Sequence, residues 1–116
     1  MKITHLDKAL AAEPMGTFLD VATMNGRNVG ACHIQGVSPV WEMHPDTDEF
    51  FHILEGEFEI TLRLDEGEEH HVIPAGSVFV VPRGIWHKPA APGGAKFMYF
   101  TPGQSLHSDA ADPLDA

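Results

Sequence analysis

The sequence predicts an all-β fold, a single barrel of the jelly-roll type, and three observations support this prediction. Short runs rich in Val, Ile, Phe and Thr alternate with Gly, Pro and Asn turn residues at a spacing of roughly 8–12 residues. Only one short segment has a helical composition. The length of 116 residues suits one domain built around one hydrophobic core.

The elements begin with a short helix over residues 4–13, which ends at Pro14 because proline cannot continue a helix. The clearest strand covers residues 57–64, where apolar residues at even positions share one face and polar residues at odd positions share the other. About eight strands in total are enough to close a jelly roll. The remaining candidates lie at residues 17–23, 28–35, 37–43, 49–54, 69–73, 77–81 and 96–101.

These elements divide the chain into three parts. Residues 1–14 form a lead-in segment and residues 15–104 form the barrel. The tail, residues 105–116, is acidic and rich in small residues, and we expect it to be flexible.

Charge and composition exclude several classes of partner. The formal net charge is −10, and such a field repels nucleic acid and anionic membrane surfaces. No apolar run is long enough to span a membrane, and residues 1–15 do not have the pattern of a signal peptide. Cys32 is the only cysteine, so no internal disulfide can form. We therefore expect a reduced, cytoplasmic protein.

The first motif with chemical content lies between residues 41 and 56. Glu42 and His44 are two residues apart on a predicted strand, so their side chains share a face about 6.6 Å apart along the strand. Residues 45–48 are typical of a turn, after which Glu49 begins a strand expected to run back beside the first, about 4.8 Å away. Imidazole and carboxylate groups both bind first-row metals at about 2.0–2.2 Å.

The second motif lies between residues 76 and 87. Here a strand leads into a turn, Pro82-Arg83-Gly84, and the turn places His87 at the start of the next strand.

Together the two motifs resemble those of the cupin superfamily. Of ten positions that mark these motifs, eight are present at the expected spacing. Glu42 stands where the family has a histidine and Ala91 where it has an asparagine. The residues around both motifs are similar to those of small single-domain bacterial cupins. Many of these are described as mannose-6-phosphate-isomerase-like, a label that refers to the shape of the barrel. The matching positions are Gly36, His44, Glu49, Gly56, Gly76, Pro82, Gly84 and His87.

The resemblance implies one divalent transition metal ion held by His44, Glu49 and His87. If Glu42 also binds, the site has two imidazoles and two carboxylates. If it does not, the site is a two-histidine, one-carboxylate triad with open positions, and Glu42 is a candidate catalytic base. These ligands suit Fe, Mn, Ni or Zn. The alternative is a metal-free barrel in which these residues hydrogen-bond one another around an organic ligand.

Five further residues are candidates to line a pocket. Phe51 and Ile53 have the same strand parity as Glu49, and Phe79 and Val81 are expected to approach from a neighbouring strand. Trp86 precedes His87, which places it at the pocket rim or at a subunit contact. The alternative for the first four is plain core packing.

The leading functional hypothesis is a metal-dependent enzyme of isomerase, lyase or dioxygenase type that acts on a small polar organic molecule. One alternative is a non-catalytic module that binds a sugar or a small acid, and another is a purely structural barrel. We also expect a homodimer, because pairing would cover exposed strand edges.

Overall fold

The computed structural model describes residues 1–115 and contains one short helix, eight antiparallel strands and a final 3₁₀ turn. Helix α1 (Leu6–Ala11) begins at His5, whose side chain accepts a hydrogen bond from the Lys8 amide, and it buries Leu10. The strands are β1 (Leu19–Met24), β2 (Arg27–Val37), β3 (Trp41–Met43), β4 (Glu49–Leu64), β5 (Gly67–Pro74), β6 (Val78–Val81), β7 (Trp86–Phe100) and β8 (Leu106–Ser108). The 3₁₀ turn covers Pro113–Asp115.

The strands form one strongly curled sheet, so the predicted all-β barrel is confirmed. One path through the sheet runs β1-β2-β7-β3-β8, and β4 connects β7 to β5 and β6. No helix among residues 1–115 is long and apolar enough to cross a membrane.

Two long strands, β4 and β7, form the centre of the barrel and pair along most of their lengths. The sequence predicts two separate strands around Gly56, but β4 continues through a bulge there. Gly56 has φ +77°, and a Cβ at this position would lie 2.1 Å from the carbonyl oxygen of Gly94. A glycine with positive φ is common to turns and bulges, so its presence alone does not end a strand. For the same reason β7 extends back through Gly94 to Trp86, well before the predicted start at residue 96.

The predicted neighbour of β3 is wrong. We expected β4 to run back beside β3, but β3 pairs with β7 on one side and β8 on the other. The turn at residues 45–48 therefore carries the chain to another part of the sheet. Glu49 reaches His44 across the barrel interior instead of along a hairpin.

The tail is paired where the sequence indicates flexibility. Strand β8 adds to the outer edge of β3, which would otherwise present unpaired backbone groups. Beyond it, the guanidinium of Arg63 donates two hydrogen bonds to the carboxylate of Asp112, at 3.1 Å each. These contacts connect the tail to the barrel at two places.

The barrel interior contains a group of packed aromatic rings and a few buried polar side chains. Phe51, Phe58 and Phe97 pack with ring centroids 5.1–5.6 Å apart. Three polar side chains are also buried: His44, Glu49 and His87. A buried carboxylate and two buried imidazoles are costly unless they are paired, so their surroundings indicate a site.

Candidate metal centre

Four side chains converge on one point inside the barrel, and we call them the His/Glu cluster: Glu42, His44, Glu49 and His87. One donor atom from each lies within 4.8 Å of the other three. Glu49 Oε1 is 3.2 Å from His44 Nε2 and 3.0 Å from His87 Nε2. Glu42 Oε1 is 3.0 Å from His44 Nε2 and 3.5 Å from His87 Nε2. The structure thus brings together the four side chains that the sequence singles out.

Three strands position the cluster. Glu42 lies on β3, directly across the β3–β7 ladder from His87, and His44 follows on the same face just after β3 ends. Glu49 is the first residue of β4, where its side chain shares the inward parity of Phe51. All four donors lie within one residue of a strand end, and they meet inside the barrel.

Both histidines are oriented by backbone carbonyl groups. His44 Nδ1 donates to the carbonyl of Gln104 at 2.9 Å, and His87 Nδ1 donates to the carbonyl of Ile85 at 3.0 Å. The Nε2 atoms therefore point at the carboxylates. Hydrogen bonding of the outer nitrogen is the usual way in which proteins fix a metal-binding imidazole.

Both carboxylates are held in the same manner, each through its outer oxygen. The Thr101 hydroxyl donates to Glu49 Oε2, and His107 Nε2 donates to Glu42 Oε2 at 3.1 Å. Thr101, Gln104 and His107 all belong to residues 101–107, which we call the orienting segment. These residues could not be predicted, because no local pattern connects them to their partners 52, 60 and 65 residues earlier in the chain.

Opposite charges stabilise the cluster. Burial disfavours charged His44, but hydrogen bonds to Glu42 and Glu49 outweigh that cost and raise its pKa to about 10. The same balance raises the pKa of His87 to about 9. Burial also disfavours ionised Glu42 and Glu49, but hydrogen bonds from the two histidines hold the pKa of both carboxyls below their ordinary value. Two imidazoliums and two carboxylates sum to zero charge.

The cluster satisfies the chemical requirements of a divalent cation. Ligands about 2.1 Å from a metal ion lie about 3.0 Å apart in octahedral geometry and about 3.4 Å apart in tetrahedral geometry. Three of the four nitrogen–oxygen distances, 3.0, 3.0 and 3.2 Å, fall in that range, and the fourth, 3.5 Å, lies just above it. Metal binding would displace the two Nε2 protons, and the charge of a divalent cation equals the charge of those two protons.

A cavity of about 260 Å³ opens on the cluster. Glu42, Glu49 and His87 line one part of it, and most of the remaining wall is apolar. Phe51, one of the five candidates from the sequence, is in that wall. The full lining is Phe18, Ile34, Ser38, Val40, Glu42, Glu49, Phe51, His87, Pro89, Phe97, Tyr99 and His107.

The other four predicted pocket residues lie elsewhere. Ile53 is fully buried in the core. Phe79 and Val81 line a separate hollow between β5 and β6, although Phe79 stacks on Phe51 at 4.8 Å. Trp86 pairs with Arg63 in the β4–β7 ladder and lines neither hollow. Strand parity predicted which side chains turn inward, but it could not predict which inward side chains leave open space beside them.

Comparison with known proteins establishes the family. The sequence model of the cupin domain family (Cupin_2) matches residues 32–108, well over half of the chain. The chain therefore belongs to the cupin family, as its two motifs predicted. No curated protein matches it at the level of sequence.

Similar solved structures share the fold. A cupin-2 domain containing protein from Shewanella frigidimarina NCIMB 400 is 29% identical, with a TM-score of 0.76 over 86% of this chain and 94% of that chain. Hydroquinone 1,2-dioxygenase from Sphingomonas sp. TTNP3, solved with 4-hydroxybenzoate bound, is 17% identical, with a TM-score of 0.71 over 83% of this chain and 71% of that chain. Hydroquinone 1,2-dioxygenase PnpCD, solved with Cd²⁺ and 4-hydroxybenzonitrile, is 18% identical, with a TM-score of 0.72 over 86% and 72%.

Proposed function

We propose that this cupin binds one divalent transition metal ion at the His/Glu cluster and is an enzyme that acts on a small organic molecule. The observation that carries the proposal is the convergence of four donor atoms, each held from behind by a second hydrogen bond. His44, Glu49 and His87 are the ligands, and the metal is Fe, Mn, Ni or Zn. When bound, such an ion supplies a Lewis acid that polarises a substrate oxygen or a water molecule.

Glu42 has one of two roles, either fourth ligand or proton-transfer group. Its Oε1 points at both histidines, which favours a ligand, whereas its side chain is 29% exposed and lines the cavity, which favours contact with substrate. Glu42→Gln separates these roles. A fourth ligand predicts weaker metal binding in the variant, and a proton-transfer group predicts unchanged metal binding with slower turnover.

Isomerase, lyase and dioxygenase chemistry all suit this arrangement. Two solved structures with the same fold are dioxygenases, one of them with Cd²⁺ bound, which supports metal-dependent chemistry at such a barrel. The alternative function is a non-catalytic module for a small ligand, and the cavity beside the cluster is compatible with it. A module predicts that the ligand is recovered unchanged after long incubation with the metal-loaded protein.

Elemental analysis of untagged protein, purified without chelator, tests metal binding. We expect about one equivalent of a single transition metal per chain in the wild type and in His71→Ala, and little in His44→Ala or His87→Ala. His71→Ala is the matched control because His71 is exposed and contacts only Glu69 among the charged side chains of residues 1–115. No metal in the wild type after anaerobic reconstitution with Fe(II), Mn(II), Ni(II) and Zn(II) would overturn the proposal.

We also propose a homodimer formed through sheet edges. Within residues 1–115, β5 and β6 each pair only with β4, and Val72, Val78 and Val80 on these strands are more than half exposed. Light scattering should give twice the chain mass for the wild type and the chain mass for Val78→Lys/Val80→Lys. A monomeric wild type at high concentration would contradict this assignment.

A further inference from the structure

The walls of the cavity beside the His/Glu cluster are mostly apolar. Seven of its twelve lining residues are apolar or aromatic, among them Phe51, Phe97 and Tyr99. Ser38 uses its hydroxyl on the backbone of Val40, and His107 is bonded to a cluster carboxylate. Polar contact with a ligand is therefore concentrated at the cluster itself.

The charges around the cavity disfavour an anionic ligand. Two carboxylates line it, and no lysine or arginine is among its lining residues. Tyr99 adds no charge, because burial raises the pKa of its hydroxyl above the ordinary value. A phosphate or carboxylate would therefore meet no lysine or arginine side chain on the cavity walls to compensate its charge. The chain's net charge of −10 repels anions further.

The size of the cavity suits one ring. Its volume of about 260 Å³ lies below the roughly 300–1,000 Å³ typical of sites for drug-sized molecules. Phe97 is 5.6 Å from Phe51 and 6.0 Å from Tyr99 between ring centroids, and Phe18 meets Tyr99 edge-on at 5.6 Å. These rings offer faces and edges to a further ring. A sugar would instead leave several hydroxyls unpaired against apolar walls.

We infer that the ligand of this cavity is a small, uncharged molecule with a largely apolar, single-ring body and a hydroxyl or carbonyl oxygen directed at the His/Glu cluster. The inference rests on the proposed function only for the group that the ligand oxygen contacts. The ring and the absence of charge are inferred from the cavity walls. The sequence predicted a small polar molecule as the substrate. The cavity restricts this class to uncharged molecules with one ring, and it disfavours a sugar or a small acid, the two ligands considered for a non-catalytic module.

Calorimetric titration with four probes tests the inference: phenol, benzoate, phenyl phosphate and glucose. Phenol and benzoate share the same ring and differ in charge. We expect phenol to bind at least about tenfold more tightly than each of the others, because it alone buries a neutral ring and one oxygen. Benzoate or phenyl phosphate binding as tightly as phenol, tighter binding of glucose, or absence of phenol binding would overturn the inference.

A variant tests whether the walls set this preference. Val40→Arg introduces a cation into the apolar wall and should raise benzoate affinity to at least that of phenol, whereas Val40→Leu should keep the wild-type order. An unchanged order in a folded Val40→Arg protein would contradict the assignment to the walls. If Val40→Arg does not fold, the wild-type probe series decides alone.

Titrations of both metal-loaded and chelated protein separate this inference from the proposed function. If the protein binds no metal but still prefers phenol, the proposed function is wrong and the inferred class of ligand is retained. If the protein binds metal at the cluster but prefers benzoate, the inferred class of ligand is wrong and the proposed function is retained.

Discussion

Replacing Glu49 with glutamine should destabilise the metal-free protein strongly. Glu49 is 4% exposed, and its Oε1 accepts hydrogen bonds from both cluster histidines while its Oε2 accepts one from Thr101. Glutamine keeps the shape of the side chain and removes the charge. Removing one partner from a buried ion pair costs about 3–5 kcal/mol. Here Glu42 alone would be left to compensate the two buried imidazolium charges. We expect Glu49→Gln to lower the free energy of unfolding by about that amount.

Urea unfolding of chelated protein near pH 6 is the assay, because that pH lies between the ordinary pKa values of Glu, 4.5, and His, 6.5. Glu69→Gln is the matched control. Its carboxylate pairs with His71 at 3.3 Å, but both side chains are 54% exposed, so the loss should be below about 1 kcal/mol. A Glu49→Gln loss no larger than that of Glu69→Gln would refute the claim that burial makes the cluster charges costly.

Metal addition extends the same experiment. A ligand that binds only the folded state at a hundred times its Kd adds about 2.7 kcal/mol to the free energy of unfolding. Wild type should gain that amount with the bound metal, and Glu49→Gln should gain much less because a ligand is missing. Equal stabilisation of both proteins would show that Glu49 does not bind the metal.

Three further predictions concern the pH dependence of the cluster, the role of His107 and the bulge at Gly56. The raised pKa of the cluster histidines stabilises the folded protein fully below their ordinary pKa of 6.5, and this stabilisation is lost as pH rises through about 9–10. The lowered pKa of the cluster carboxyls stabilises the folded protein above their ordinary pKa of 4.5, and this stabilisation is lost in acid. Chelated protein should therefore be most stable between about pH 4.5 and 6.5, as urea midpoints across pH will show, and a maximum above pH 9 would contradict this. His107→Ala should weaken metal binding about 10–100-fold in a competition assay, and His107→Gln should recover part of the loss because it can still donate to Glu42; equal affinities in all three proteins would count against orientation by His107. Gly56→Ala should lower the free energy of unfolding by about 3 kcal/mol or more, and Gly76→Ala by about 1 kcal/mol. Both glycines have positive φ, but only at Gly56 would a Cβ clash with a carbonyl oxygen. Equal losses of the two variants in urea unfolding would contradict this close approach.

The fold could be predicted from the sequence because strand patterns are short-range, whereas the grouping of His44, Glu49 and His87 was implied by the resemblance to cupins. Inward parity along a strand and the spacing of Glu42, His44 and His87 relative to their turns are local properties. The all-β barrel and the cupin family are confirmed by the structure and by the family match. The roles of the cluster residues and the cytoplasmic location stay predictions.

The features that could not be predicted depend on which distant strands become neighbours. His107 has no partner nearby in sequence, and its contact with Glu42 exists only because β8 pairs with β3. Likewise, the position of β6 beside β4 places Phe79 and Val81 in a hollow away from the cluster. Gly56 shows the same limit locally, because a positive φ serves a bulge as well as a turn.

Anomalous diffraction from crystals of reconstituted protein, measured at the absorption edge of the metal, would locate a metal ion held by the His/Glu cluster. We predict one strong peak about 2.0–2.3 Å from Nε2 of His44, Nε2 of His87 and Oε1 of Glu49. A peak located only at exposed histidines such as His70 and His71, or no peak after reconstitution with each candidate metal, would contradict it.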